Sequence, residues 1–175
     1  MIITKNAGGE NMEKKKFKVG MYGGKFMPFH KGHLHCVEVA ASQCEKLYLL
    51  LFHGGDQELE ILKTRKEKWL QPEDRLKRMK KACKKFKNVE VVPIDITNCK
   101  YPDGTEDWDQ ETHLVLEVCG ELDAVYGSEP EYADYFHRAY PKATYVIVDK
   151  DRKEVPISGT MIRNMNEEER KKWIV

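Results

Sequence analysis

Gly23-Gly24-Lys25-Phe26-Met27-Pro28-Phe29-His30-Lys31-Gly32-His33 is the stretch on which the fold turns. The apolar segment 17–22 before it reads as a buried strand, and the apolar spacing of 34–43 after it reads as a helix. Glycine at a strand-to-helix turn lets backbone approach a ligand closely, and the N-terminus of the following helix attracts anions. Two histidines three residues apart straddle the turn, so both can face one phosphate chain. The run therefore points to a site that handles a mononucleotide.

Other readings of the run fail on particular residues. A P-loop needs a glycine where Val19 stands and a Ser or Thr where Phe26 stands. A dinucleotide-binding turn has no room for bulky Phe26 and Met27. His30, His33 and His35 do not compose a metal face, because Gly32 interrupts the helical spacing and no Cys or carboxylate completes the set.

The rest of the chain alternates short apolar runs with amphipathic stretches, the pattern of a parallel α/β sheet. Strands are expected over 17–22, 46–52, 89–95, 124–126 and 144–149. Helices are expected over 32–43, 72–86, 108–119 and 131–140, with a final pair beginning at Ser158 and Asn166. Gln71-Pro72-Glu73-Asp74 is a good helix start, with proline in the first turn and acids at the positive end of the dipole. Five strands with crossover helices give a doubly wound, Rossmann-like α/β fold, a parallel five-stranded sheet with helices on both faces. Ligands in such sheets bind beyond the carboxyl ends of the strands, where His30, Asp95 and Gly127 are expected. Residues 1–16 are polar and aperiodic and read as a frayed tail, leaving 17–175 as a single domain. The polar segment 54–68 carries no assignable pattern.

The 175 residues are enough for a substantial core. The chain has 30 basic and 29 acidic residues, so bulk charge gives no reason to expect a nucleic-acid or membrane partner. The lysines at 80–81 and 84–85 read as the wet face of a helix. Five cysteines form no Cys-x-x-Cys pair, which leaves zinc and redox motifs unsupported. With no signal peptide and no long apolar span, reduced thiols in the cytoplasm are expected. Cys36, Cys83 and Cys119 fall in helical patterns as small core fillers.

A second chemical signature lies at Ile157-Ser158-Gly159-Thr160-Met161-Ile162-Arg163, where a helix should begin. Ser158 can cap that helix, and the same exposed N–H groups and hydroxyls suit a phosphate. Arg163 lies one turn on, and its planar fork matches phosphate oxygens.

Gly24-x-Phe26-x-Pro28-x-His30-x-Gly32-His33 resembles the phosphate-binding motif of the nucleotidyltransferase superfamily that carries a His-x-Gly-His pair. The second signature resembles that superfamily's Ile-Ser-x-Thr-x-x-Arg segment. With Gly127-Ser128-Glu129-Pro130 and Asp149-Lys150-Asp151-Arg152 between them, the chain is most similar to the adenylyltransferase domain of bifunctional NMN adenylyltransferase/ribosylnicotinamide kinases. A P-loop for the kinase half does not occur in this sequence. The resemblance implies a single in-line displacement in which the acceptor phosphate attacks the α-phosphate of ATP, yielding NAD and pyrophosphate from ATP and NMN. It implies His30, His33, Arg163 and Lys25 as the catalytic group, and Gly23, Gly24, Phe26, Gly127, Ser128, Ser158, Gly159 and Thr160 as further ATP contacts. On the acceptor side stand Lys25, Arg75, Asp95 and Trp108. Trp108 either stacks on the nicotinamide ring or packs into the core. Arg75 either meets a substrate phosphate or pairs with an acid of its own helix, and Asp95 either binds the acceptor or closes a turn. Mg2+ is expected to travel with ATP rather than sit in a protein cage. Phosphopantetheine, riboflavin phosphate or a CTP-dependent alcohol phosphate are rival acceptors within the superfamily, and a non-catalytic nucleotide sensor is the rival outside it. The sequence leaves self-association into a homo-oligomer open.

Overall fold

The computed structural model describes residues 3–5 and 11–175. The stretch read as a tail falls partly on residues 1–2 and 6–10, outside the described residues. Of the remainder, β1 (Ile3–Lys5) and β2 (Asn11–Glu13) pair antiparallel as a separate two-stranded sheet.

The main sheet has five parallel strands: β3 (Phe17–Gly24), β4 (Cys44–His53), β5 (Val89–Asp95), β6 (Ala124–Gly127) and β7 (Thr144–Ile147). Their spatial order is β5-β4-β3-β6-β7, so the winding reverses beside β3. This is the expected doubly wound, Rossmann-like sheet. The reversal opens a crevice at the carboxyl ends of β3 and β6.

Both faces of the sheet are covered, which is why β4 reads as a continuous apolar run, Leu47 to Phe52, rather than an alternation. Leu47, Leu49 and Leu51 point into one buried cluster with Val37 and Ala40 of α1 (Lys31–Gln43) and Met79 of α3 (Pro72–Cys83). Leu50 points into the other, with Val115 and Cys119 of α4 (Trp108–Cys119). Cys36, Cys83 and Cys119 are buried on helices, as their spacing predicts.

The structure departs from the sequence reading at four places. The helix expected over 72–86 stops at Cys83, where Phe86 N–H turns back to the Cys83 carbonyl at 3.0 Å and lays its ring on the core. The helix expected over 131–140 splits into a 3-10 turn (Pro130–Tyr132) and α5 (Ala133–Ala139). β7 ends at Ile147, and the chain then turns through a left-handed Asp149 (φ 49°). Inside the unassigned 54–68 segment lies α2 (Asp56–Thr64), which has no apolar stripe because its buried residue is Glu58. Among the described residues, no helix is long and apolar enough to cross a membrane.

Candidate active site

At the end of β3 the chain passes through Phe26 at φ 48°, a conformation that costs a non-glycine residue about 1–3 kcal/mol unless its surroundings hold it. The surroundings are aromatic. The Phe26 ring, 4% exposed, meets Tyr22, Phe29 and His33 edge-on at centroid distances of 5.3, 5.4 and 4.8 Å. This packing fixes the loop and delivers His30 to the N-terminus of α1.

The two histidines are locked to each other by the helix cap. His30 Nδ1 accepts from the Gly32 N–H at 3.1 Å, and His33 Nδ1 accepts from the His30 N–H at 3.3 Å. Their rings stack 3.6 Å apart. An Nδ1 that accepts a hydrogen bond puts the proton of a neutral imidazole on Nε2. Each ring therefore presents an Nε2–H donor to the cavity that both residues line. Burial, reinforced by the positive charge of Arg152, lowers the His30 pKa to about 4. Burial, then His30 and Arg152, drives His33 well below its ordinary value. Both rings are thus neutral donors near pH 7. Long-range 1H–15N correlation spectra are expected to show both as Nε2–H tautomers at pH 7 and still neutral at pH 5.5. An imidazolium pattern at pH 6 would contradict the geometry.

The second signature folds against this loop. Ser158 caps α6 (Gly159–Arg163), its Oγ accepting from the Met161 N–H at 3.2 Å. Arg163 Nη1 donates to the Met27 carbonyl at 2.7 Å and Nη2 to Thr160 Oγ1 at 3.1 Å, which aims its remaining N–H groups into the cavity. Burial and the nearby Arg65 lower its pKa, so an anion is the partner its surroundings lack. Gly159 is glycine because α6 starts against the loop: a Cβ there would lie 2.9 Å from the Met27 carbonyl. The chain then returns through α7 (Glu167–Lys171), and the Lys31 N–H donates to the Trp173 carbonyl at 3.0 Å, bracing the histidine turn from outside.

These groups line one cavity of about 520 Å3 at the carboxyl edge of the sheet, a volume suited to a small-molecule ligand. It also takes in Gly23, Gly24, Lys25, Gly127, Ser128 and Trp108. Trp108 is the first residue of α4, 40% exposed, with Tyr135 edge-on at 5.0 Å. Tyr132 lies tilted at 6.1 Å, and the indole is partly exposed on the cavity rather than sealed in the core. Glu111 lies one turn further along α4 and lines the same cavity with Glu106 and Lys25. Burial and then the charge of Glu106 push the Glu111 carboxyl up to about 7, with Lys25 opposing. Glu106 is fixed by accepting from the Asp56 N–H at the start of α2, 2.9 Å away.

Two expected acceptor residues are elsewhere. Arg75 is completely buried, paired with Glu58 at 2.5 Å and donating to the Lys25 carbonyl. It holds the histidine-bearing loop from behind and does not line the cavity. Its partner sits on α2 rather than on its own helix. Asp95 is exposed and closes a turn, accepting from Thr97 N–H at 2.9 Å and Thr97 Oγ1 at 2.6 Å. Sequence reasoning missed Glu106, Glu111 and Arg152 as cavity residues. Glu111 had a signal in the three-residue spacing from Trp108 that stacks both on one helix face, and Arg152 ends the Asp149–Arg152 stretch that carried part of the resemblance.

The chain matches the cytidylyltransferase-like family over residues 21–165. It belongs to that family of nucleotidyltransferases. Among curated relatives, the trifunctional NAD biosynthesis/regulator protein NadR of Escherichia coli is 26% identical over 159 residues. That alignment covers 89% of this chain but 38% of NadR, so the chain spans well under half the length of that relative. The phosphopantetheine adenylyltransferase of Mycoplasma mycoides is also 26% identical, over 85% of this chain and 96% of that enzyme. A crystal structure of NadR protein in complex with NAD and AMP-PNP shares the fold, with a TM-score of 0.62 and 24% identity over 90% of this chain and 44% of that one. For this cytidylyltransferase-like protein, the match runs from within β3 to just beyond α6 and so takes in the histidine loop and the Ser158–Arg163 segment.

Proposed function

We propose that the protein transfers the adenylyl group of ATP to nicotinamide mononucleotide, forming NAD and releasing pyrophosphate. One observation carries this reading: a single cavity joins two neutral histidine donors and Arg163 to the partly exposed ring of Trp108 and the acids Glu106 and Glu111. The first group suits a phosphate chain undergoing substitution. The second suits a flat cationic ring, since a pyridinium over tryptophan gains about 0.5–2 kcal/mol and the Glu106 carboxylate, with a partly ionised Glu111, adds attraction. A pantetheine arm offers those carboxylates no charge, and a ring bearing its own carboxylate is repelled.

In the reaction an acceptor phosphate oxygen forms a bond to the α-phosphorus of ATP as the bond to the bridging oxygen breaks. The electron pair leaves with pyrophosphate. His30 and His33 donate their Nε2–H groups to the oxygens on which charge grows, already oriented by their cap bonds. Arg163, with the hydroxyls of Ser158 and Thr160, holds the outer phosphates, and Lys25 bridges toward the acceptor phosphate. Among the described residues no cluster of three or more His, Cys, Asp or Glu could hold a metal ion. Mg2+ bound together with ATP would supply charge neutralisation on the phosphates that Arg163, Ser158 and Thr160 hold.

The test is Mg2+-dependent pyrophosphate release from ATP with NMN, its acid form, phosphopantetheine and riboflavin phosphate offered separately. NMN is expected to give NAD with the highest kcat/KM. Trp108→Ala is expected to raise the KM for NMN roughly 2- to 30-fold and leave that for ATP alone. Release with another acceptor only would move the acceptor within the family. No release with any acceptor, while ATP still binds, would favour a sensor. An unchanged KM for NMN in Trp108→Ala would remove the stacking role.

A further inference from the structure

Between β7 and α6 the chain makes a turn that the reaction scheme above does not use. Asp149 and Arg152 are both non-glycine residues in the left-handed region, at φ 49° and 51°. Such residues are costly and persist where the surroundings impose them, which happens most often at functional sites. Here the surroundings are the Asp149 carboxylate, which accepts from the Glu154 and Val155 N–H groups at 3.0 Å each. The Arg152 N–H closes the turn on the Asp149 carbonyl at 2.8 Å. Three hydrogen bonds are spent on holding one short excursion in one shape.

What that shape accomplishes is the delivery of Arg152. Its side chain lines the cavity together with His30, His33 and Ser158. It is near enough that its charge disfavours protonation of both imidazoles. The acid that meets it is Glu129, 4.0 Å away, with both side chains about half exposed. An exposed pair at that distance contributes about 0–1 kcal/mol and is easily exchanged for a better one. The protein thus holds a guanidinium with a weak partner on the same cavity as two neutral imidazole donors and a second guanidinium, Arg163. Donors and positive charge converge there, answered only by the loose, half-exposed Glu129 among the described residues.

We propose that Arg152 is a catalytic residue that leaves Glu129 to grip the outer phosphates of the bound nucleoside triphosphate, sharing with Arg163 the charge of the departing pyrophosphate. The planar fork suits two phosphate oxygens at once. This inference rests on the reading that the cavity binds a nucleoside triphosphate, and it is independent of the acceptor. Arg152 lies in a surface turn, so its replacement leaves the core intact.

Calorimetry with ATP, inorganic tripolyphosphate and AMP on the wild type, Arg152→Ala and Arg152→Lys tests it. Arg152→Ala is expected to weaken ATP and tripolyphosphate about 10- to 100-fold, as losing a charge-assisted bidentate contact does. AMP binding is expected to change less than about twofold, and Arg152→Lys to fall between. In the ligand-free Arg152→Ala variant the His30 pKa is expected to rise, because a neighbouring positive charge is gone; a purely structural turn residue would not move it. ATP binding within about twofold of the wild type in Arg152→Ala would overturn the proposal. So would an equal loss for AMP, which would mark general damage. A wild type that binds neither ATP nor tripolyphosphate would overturn the nucleotide-transfer reading itself, and Arg152's role with it.

Discussion

His33→Ala is expected to lower kcat about 10^2- to 10^3-fold and to change the KM of either substrate less than about threefold. The magnitude follows from the removal of one oriented donor at an oxygen on which charge grows. The Nε2–H of His33 is fixed because its Nδ1 is occupied by the His30 N–H at 3.3 Å, and its ring is held by His30, Phe26 and Phe29. A donor positioned before the reaction stabilises the transition state more than the ground state, so kcat and kcat/KM should fall together. The same substitution removes one helix-cap bond, worth about 0.5–2 kcal/mol. For a chain of this size that shifts Tm by roughly 1–8 °C, which leaves the variant folded at 25 °C. His35→Ala is the control. His35 stands two residues on in the sequence, yet its ring turns to the exposed carboxylate of Glu154 at 3.0 Å, and its loss should change kcat less than about threefold. A kcat for His33→Ala within tenfold of the wild type would deny it a direct part in the chemistry.

The histidine turn was legible in the sequence because its geometry is local. The cap bonds that orient both rings connect residues 30, 32 and 33, and the motif carries its own scaffold. The sheet was legible for a related reason: strands buried on both faces, such as β4, write their burial as an unbroken apolar run. What escaped depends on partners distant in the chain. α2 has Glu58 as its buried residue, and a lone carboxylate in a polar stretch looks like surface until Arg75, 17 residues on, is seen to meet it. The burial of Arg75 was hidden for the same reason, since a charged residue at a helix start gives no sign of being sealed in. Arg152 owes its direction to a turn built by Asp149, and backbone sign is not written in side-chain pattern. Glu111 shows its importance only beside Glu106 and Lys25.

Arg75→Ala is expected to destabilise the protein by about 3–5 kcal/mol, read as a fall in the urea midpoint. The cost does not come chiefly from the ion pair itself, whose Coulombic gain is largely offset by dehydrating both charges. It comes from what remains: Glu58, 1% exposed, keeps a carboxylate whose other oxygen is engaged by the Gly54 N–H at 3.1 Å, now with no counter-charge. Replacing both partners with apolar residues of similar size, Glu58→Leu with Arg75→Met, should restore most of the stability, because that exchange removes the orphaned charge. Activity should not return with it. Arg75 also donates to the Lys25 carbonyl, in the loop that carries the histidines, and methionine has no donor to offer. The double variant is therefore expected to be stable, to bind ATP, and to turn over at least tenfold more slowly than the wild type, about 1.4 kcal/mol of lost positioning. An Arg75→Ala protein as stable as the wild type, with only the acceptor KM raised, would instead return Arg75 to the acceptor site. The burial and the two hydrogen bonds argue for the first outcome: this arginine acts on the substrate only through the backbone it holds.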